Sequence, residues 1–171
     1  YTNVNVSKKH TIEVGMKTKL ITGLFAMLPA AVLANSLIVH KSPTCGCCVK
    51  WIESFSKNIT IQEENHHDMN AIKAEHGVPQ QAASCHTAVD EHGFVYEGHV
   101  PPKMVEDYGN GARSHNGKGL VVPGMPIGSV GMDYDDRFQP YVVYELLENG
   151  SGRVYAEIDS KETQAKYRYD Q

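Results

Sequence analysis

The segment VHKSPTCGCCVKWIESF, residues 39–55, decides the fold because a strand pattern changes into a helix pattern within it. Residues 36–42 form a β-branched run that ends at Pro43, and this pattern predicts a strand. Beyond it, Val49, Trp51 and Phe55 are spaced along one face of a helix. Three of the four cysteines in the chain lie where the two patterns meet. The segment therefore predicts a strand and a helix separated by a cluster of thiols.

Beyond this segment the chain continues to alternate between strand and helix patterns. Asp68 is placed to cap a second helix that ends near Gly77. Residues 85–101 predict two strands joined by a turn at residues 91–93. The remaining predicted elements are a strand at 59–64, a helix at 101–111, a long Gly/Pro-rich loop at 119–140 and a pair of strands at 141–158. The order β-α-β-α-β-β-α predicts an α/β, thioredoxin-like fold, with a central mixed sheet, flanking helices and a C-terminal β extension.

The N-terminal residues have the pattern of a secretory signal peptide. Residues 16–34 give a basic start, an apolar centre and a small-residue exit, with cleavage expected near Ala34. Residues 1–15 are then an upstream segment outside the fold, and residues 35–171 form a single domain. A buried amphipathic helix is the alternative interpretation of the apolar run. That run is too short to span a membrane, so we expect no membrane span after cleavage.

The charge of the chain restricts its partners. Twenty acidic residues against 16 basic residues give a formal net charge of −4. Residues 1–34 contain four lysines and one glutamate, so their removal would leave a more acidic domain. An acidic surface argues against nucleic acid or an anionic membrane as partner and is compatible with the attraction of cations.

The cysteine spacing favours a metal site. Cys45 and Cys48 form a C-x-x-C pair at a helix start, where the helix dipole should lower the pKa of both thiols. Cys47 lies between them and would compete as a disulfide partner in an exchange enzyme, whereas in a metal site it adds a ligand. Cys85 opens the strand after the second helix, and thioredoxin topology would bring it to the same place. Thiolates select soft ions, and this spacing is uncommon for zinc, so we expect copper, as Cu(I).

Other interpretations of the cysteines stay open. Export would place them in an oxidising compartment, where structural disulfides such as Cys45–Cys48 and Cys47–Cys85 form by default. A thiol–disulfide oxidoreductase acting on proteins would need only Cys45 and Cys48. A chaperone that passes copper to a partner would need the same ligands as a storage protein.

Thioethers and imidazoles extend the candidate ligand set. Met125 and Met132 lie in a Gly-rich loop and would be soft ligands, although each side chain could equally cover apolar surface. Among the histidines, His86 beside Cys85 and His99 in EGHVPP are placed to reach the cysteines. The candidate metal ligands are Cys45, Cys47, Cys48, Cys85, His86, Met125 and Met132.

Four segments, in this order, resemble the CopG-type family of bacterial periplasmic copper-resistance proteins: VHKSPTCGCCVKWIE, HGVPQQAASCHTAV, YEGHVPPKMV and GLVVPGMPIGSVGM. The resemblance spans residues 37–155. It implies a thioredoxin-like fold, a role in handling periplasmic copper, and copper bound at the clustered cysteines. The positions that match are Cys45, Cys47, Cys48 and Cys85, with Met125 and Met132 in the matching loop.

One stretch departs from the resemblance. Residues 63–73, EENHHDMNAIK, are richer in histidine and acidic residues than the family leads us to expect. They could add a second, weaker metal site, but a solvated turn is the favoured interpretation of His66 and His67.

The sequence thus predicts a periplasmic copper-binding protein for copper resistance. We expect a thiolate cluster of several Cu(I) ions, which would act either by sequestering copper or by coupling thiol and copper redox states; coupling would make the protein a copper oxidoreductase. The expected partners are copper ions and other periplasmic copper-handling proteins.

Overall fold

The structure, a computed structural model, describes residues 36–169. Within this range the strands are β1 (Ser36–Lys41), β2 (Thr60–Asn65), β3 (His86–Asp90), β4 (Val95–Glu97), β5 (Gly117–Val121), β6 (Tyr141–Leu147) and β7 (Gly152–Ile158). The helices are α1 (Gly46–Glu53), α2 (Met69–Glu75), α3 (Pro102–Gly109) and α4 (Lys161–Ala165), and a short 3-10 helix covers Gln80–Ala82.

The strands form one mixed sheet in the order β2-β1-β3-β4-β5-β6-β7. β1 pairs with β2 in parallel through the crossover helix α1 and with β3 in antiparallel orientation. β3 and β4 form an antiparallel pair, and α3 connects β4 to the parallel strand β5. This arrangement confirms the α/β, thioredoxin-like fold, and β6 and β7 are its C-terminal β extension.

Alternation of side chains along the strands builds a core on each face of the sheet. The larger core lies under α1 and α3 and includes Val39, Trp51, Phe55, Ala88, Tyr96, Met104, Tyr108 and Leu120. The smaller core includes Val78, Ala82, Val95, Val121 and Leu146. Val95 and Tyr96 are neighbours in β4 and point into different cores. We call the face under α1 and α3 the Trp51 face, and the opposite face, which α2 covers, the α2 face.

Local sequence signals account for several element boundaries. Asp68 caps α2, since its side chain accepts a hydrogen bond from the Ala71 N–H at 3.1 Å. The turn predicted between β3 and β4 is present, with Gly93 at φ +82° and its N–H donating to the Asp90 carbonyl at 3.0 Å. Both features confirm the predictions made from residue type.

Two segments differ from the prediction. The prediction of a loop over residues 119–140 was wrong at its start, because β5 extends to Val121 and pairs with β4. Gly119 permits this pairing, since a Cβ there would collide with the backbone of Val95. The tail also contains α4, whose first turn is capped by the Ser160 hydroxyl accepting from the Thr163 N–H at 3.2 Å.

The predicted upstream segment 1–15 and signal peptide 16–34 lie outside the described residues, so the proposed domain boundaries stay predictions. Among residues 36–169, no helix combines the length and the apolar character needed to cross a membrane.

Candidate metal centre

The four cysteines converge at one end of the sheet. Their Sγ atoms all lie within 4.8 Å of one another, although Cys47 and Cys85 are 38 residues apart. Cys45 and Cys48 are joined by a disulfide, and Cys47 and Cys85 are free thiols. The Sγ atom of Cys47 lies 3.6 Å from that of Cys45 and 3.8 Å from that of Cys85. Cys47 therefore lies between the disulfide and the distal thiol.

The end of β1 and the start of α1 place three of these sulfurs together. The chain turns after β1, where the Cys45 N–H donates to the Ser42 carbonyl at 3.2 Å. Cys45 is the N-cap residue of α1, so Cys47 and Cys48 both fall in the first turn of the helix. Trp51, fully buried, anchors that helix by donating its indole N–H to the Val100 carbonyl at 2.8 Å.

A hydrogen-bonded series leads from the free thiols to a buried imidazole. The Cys47 thiol donates to Cys85 at 3.8 Å between sulfurs, and the Cys85 Sγ lies 3.0 Å from Nε2 of His99. The other ring nitrogen of His99, Nδ1, lies 2.7 Å from the carbonyl oxygen of Val130. A carbonyl only accepts, so Nδ1 carries the proton and the Nε2 lone pair faces Cys85. A backbone partner of this kind orients metal-binding histidines.

His86 is the other imidazole at the site. Its Nδ1 lies 3.3 Å from the Cys85 Sγ, and its ring packs on Trp51 with centroids 4.3 Å apart. The Nε2 atom of His86 is buried, and no hydrogen-bond partner for it occurs in the described part of the chain. Cys85, His86 and His99 thus form a second group of converging donor atoms that shares Cys85 with the cysteine cluster.

Burial keeps these groups uncharged at neutral pH. Burial, together with the neighbouring Cys47, raises the pKa of the Cys85 thiol to about 12. Burial also lowers the pKa of His99, and it lowers the pKa of His86 well below its usual range with help from His99 and Lys73. A metal ion at this site would therefore meet neutral imidazoles and would have to displace the Cys85 proton.

The donor set fits a soft metal ion. Two sulfurs bound to one ion at about 2.3 Å in tetrahedral geometry lie roughly 3.8 Å apart. The sulfurs of the two free thiols, Cys47 and Cys85, lie 3.8 Å apart. Sulfur and imidazole donors select Cu(I) or Zn(II) over hard cations. Reduction of the Cys45–Cys48 disulfide would release two more thiolates at the same place.

The loop that contains both candidate methionines runs beside the cysteines. Gly131 has φ +87°, and a Cβ at this position would lie 2.8 Å from the Cys47 carbonyl oxygen, so glycine allows close approach. Met132 follows this contact. Met125, 54% exposed, follows Gly124, whose carbonyl accepts a hydrogen bond from the Ser84 hydroxyl. Backbone neighbours of both methionines thus contact Cys47 or the residue before Cys85, and their role as ligands stays a prediction.

A buried ion pair on the α2 face holds the segment that precedes Cys85. Lys73 of α2 donates to the Glu97 carboxylate at 2.6 Å, and their side chains are 7% and 0% exposed. The same carboxylate accepts the Ser84 N–H at 2.6 Å and the Thr87 hydroxyl at 2.7 Å. Residues on both sides of Cys85, Ser84 through its backbone and Thr87 through its side chain, are therefore attached to Glu97, which sequence reasoning did not identify. Only the buried positions of Lys73 and Glu97 reveal it, because each reads as an ordinary surface charge in the sequence.

Comparison with known proteins adds independent information. A family model described as "Protein of unknown function, DUF411" matches residues 82–132, which include Cys85, His86, His99 and both loop methionines. A search of curated proteins gave no match.

Two solved structures have the same fold and related sequences. The structure named "Copper resistance protein copG- Form 1" is 36% identical, with a TM-score of 0.67, and the match covers 73% of this chain and 98% of that chain. The corresponding "Form 2" structure is 37% identical, with a TM-score of 0.65, covering 72% of this chain and 98% of that chain. Because these matches span nearly the whole relative at this level of identity, the chain belongs to the CopG-type family of copper resistance proteins.

Proposed function

We propose that this protein binds Cu(I) through Cys45, Cys47, Cys48 and Cys85 and contributes to copper resistance. The observation that carries the proposal is the convergence of four sulfurs from two distant segments within 4.8 Å. Four thiolates able to bridge ions would hold a cluster of several Cu(I) ions. The names of the two solved relatives support copper as the metal.

We add His99 to the proposed ligands beside His86, Met125 and Met132. Its Nε2 lone pair faces Cys85, while its Nδ1–H is held by the Val130 carbonyl. A ring fixed in this way binds a metal without first changing tautomer. His86 would bind through Nδ1, which lies 3.3 Å from the Cys85 Sγ, whereas its Nε2 atom is buried without a hydrogen-bond partner in the described part of the chain.

Thiol and copper redox states are coupled in this proposal. The Cys45 and Cys48 thiolates together lose two electrons when they form their disulfide, and two Cu(II) ions gain one electron each to become Cu(I). The reverse reaction oxidises two Cu(I) ions and reduces the disulfide. The disulfide form holds fewer copper ligands, so its formation would release Cu(I). The structure describes the disulfide form.

The proposed place of action is the periplasm. It rests on the signal-peptide pattern of residues 16–34. Other periplasmic copper-handling proteins are the proposed partners.

The decisive test is an anaerobic Cu(I) titration of the reduced chain against a chromophoric chelator. We expect more than one tightly bound copper per chain, and a lower number in Cys85→Ser. A limit of one copper per chain would contradict the cluster, and equal uptake by Cys85→Ser would remove Cys85 from the ligand set.

His99→Gln should weaken copper binding by about tenfold or more, because even residues that only orient ligands contribute this much. His92→Gln is the matched control, since His92 is 52% exposed in the turn after β3.

A thiol–disulfide oxidoreductase is the second candidate function. The specific observation in its favour is a Cys45–Cys48 disulfide at the N-terminus of α1, the position of a redox-active pair. This function predicts metal-free reduction of insulin by a chain in which Cys47 and Cys85 are both serine. Absence of turnover in that variant would eliminate it.

A further inference from the structure

A separate group of nitrogen and oxygen donors lies on the α2 face. Nδ1 of His40 is 3.0 Å from Nε2 of His66, and Oε2 of Glu64 lies 3.4 Å from the first and 3.7 Å from the second. Three atoms of metal-binding side chains thus converge from β1, the end of β2 and the residue after it. The sequence suggested only a weak site or a solvated turn at His66 and His67. The structure instead joins His66 to His40, 26 residues earlier.

The backbone fixes these three residues relative to one another. His40 and Glu64 are direct partners in the parallel pairing of β1 with β2, so their side chains lie on the same face. The His66 N–H donates to the Lys41 carbonyl at 2.9 Å, which continues that pairing by one residue. The His40 ring also stacks on His76 at the end of α2, with centroids 5.1 Å apart. The group is therefore held by strand register and not by flexible side chains alone.

The distances are close to those within a metal coordination shell. Nitrogen and carboxylate ligands bind Zn(II) at about 2.0–2.2 Å, which places tetrahedral ligands roughly 3.3–3.6 Å apart. The three separations of 3.0, 3.4 and 3.7 Å straddle this range. The three donors would occupy one triangular face of the coordination shell.

Hydrogen bonding alone leaves this group incompletely satisfied. One proton can serve the contact between His40 and His66, but the contacts of both rings with Glu64 are longer than a hydrogen bond. The other Glu64 oxygen, Oε1, accepts from the Gln62 side chain at 3.1 Å, which orients Oε2 toward the two rings. Burial, with a contribution from His76, lowers the pKa of His40, so its imidazole is neutral and available as a ligand.

This group is chemically and spatially distinct from the cysteine centre. His40 pairs with Thr87 across β1 and β3, and Thr87 contacts Lys73 of α2. His86 and Trp51 lie on the opposite face of the sheet. Two imidazoles and a carboxylate favour borderline divalent ions such as Zn(II) and Cu(II), whereas thiolates favour Cu(I).

We propose that His40, Glu64 and His66 form a second metal site, for a divalent transition-metal ion of the Zn(II) or Cu(II) class. The Glu64 and His66 side chains are 37% and 27% exposed, so an ion can enter from solvent and keep a water molecule at its fourth position. The proposal does not depend on copper binding by the cysteines.

The test uses a chain in which Cys47 and Cys85 are serine and the Cys45–Cys48 disulfide is intact, so that no free thiol competes. Separate calorimetric titrations with Zn(II) and Cu(II) should each show one equivalent of binding, and the stronger of the two identifies the preferred ion. Electron paramagnetic resonance of the Cu(II) form should show coupling to two imidazole nitrogens. His66→Gln and Glu64→Gln should each weaken binding by about tenfold or more.

His67→Gln is the matched control, because His67 is the adjacent, exposed histidine and should leave binding unchanged. Thermal unfolding of each variant checks that it folds, and using both Glu64 and His66 keeps the test valid if one does not. Binding that is absent, non-stoichiometric or equally strong in the folded His66→Gln and Glu64→Gln variants would overturn the proposal and leave only a hydrogen-bonded histidine pair. Loss in His67→Gln alone would overturn the assigned ligands.

Discussion

Replacement of Lys73 by methionine should strongly destabilise the fold. Lys73 and Glu97 are both buried and lie 2.6 Å apart, so Lys73→Met would leave the Glu97 carboxylate buried without its cation. Removing one partner of such a pair lowers the free energy of unfolding by about 3–5 kcal/mol. The whole free energy of unfolding of a protein of this size is about 5–15 kcal/mol. The melting temperature should fall by roughly 10 °C or more.

The assay is urea unfolding followed by the fluorescence of Trp51, which is fully buried and the only tryptophan of the chain. Lys57→Met is the control, because Lys57 is exposed and its loss should change the unfolding free energy by no more than about 0.5 kcal/mol. Adding Glu97→Gln to Lys73→Met removes the unpaired charge and keeps an acceptor for the Ser84 N–H. The double variant should therefore be more stable than Lys73→Met alone. A loss below about 1 kcal/mol for Lys73→Met, or a double variant no more stable than the single one, would refute the reasoning.

Three further predictions concern the metal centre. Gly131→Ala should destabilise the protein by several kcal/mol, since the added Cβ would lie 2.8 Å from the Cys47 carbonyl oxygen. Gly124→Ala is the control: this position also has a positive φ but open space around it, so its free energy of unfolding should fall by only about 1–2 kcal/mol in the same urea assay. The pKa of the Cys85 thiol is raised from 9.0 to about 12 in the folded state, so the folded chain holds this proton more tightly than the unfolded chain does. The contribution of the protonated thiol to the free energy of unfolding is therefore complete below pH 9 and is lost as the pH rises toward 12. A Cys85→Ser chain that loses stability equally steeply between pH 9 and 12 would contradict this prediction. Chemical reduction of the disulfide should increase the Cu(I) capacity measured by chelator competition, and equal capacity before and after reduction would show that its sulfurs are not ligands.

Short-range signals explain how much of the fold the sequence could predict. Pro43, Asp68 and the turn at Gly93 act through the residues next to them, and the corresponding boundaries appear in the structure. β5 was missed because its pairing with β4 depends on a close backbone approach at Gly119, far along the chain from its partner Val95.

The candidate site shows the same division between local and distant information. The cluster at the start of α1 is visible in the spacing of its cysteines, and thioredoxin topology correctly suggested where Cys85 would lie. The orientation of His99 depends on the carbonyl of Val130, 31 residues later, and no residue type in the sequence indicates this contact. The His40–His66 contact likewise arises from strand register, so the sequence pointed to the right stretch but not to the partner.

The distance along the chain between Cys47 and Cys85 has a consequence for folding. An ion bound to both would cross-link positions 38 residues apart and enclose most of α1, together with β2 and α2, within a closed loop. By the chain-entropy relation used for disulfides, a link of this length disfavours the unfolded chain by about 4 kcal/mol. Copper would then act as a reversible cross-link, and the copper-loaded protein should resist proteolysis in conditions where the copper-free protein is digested.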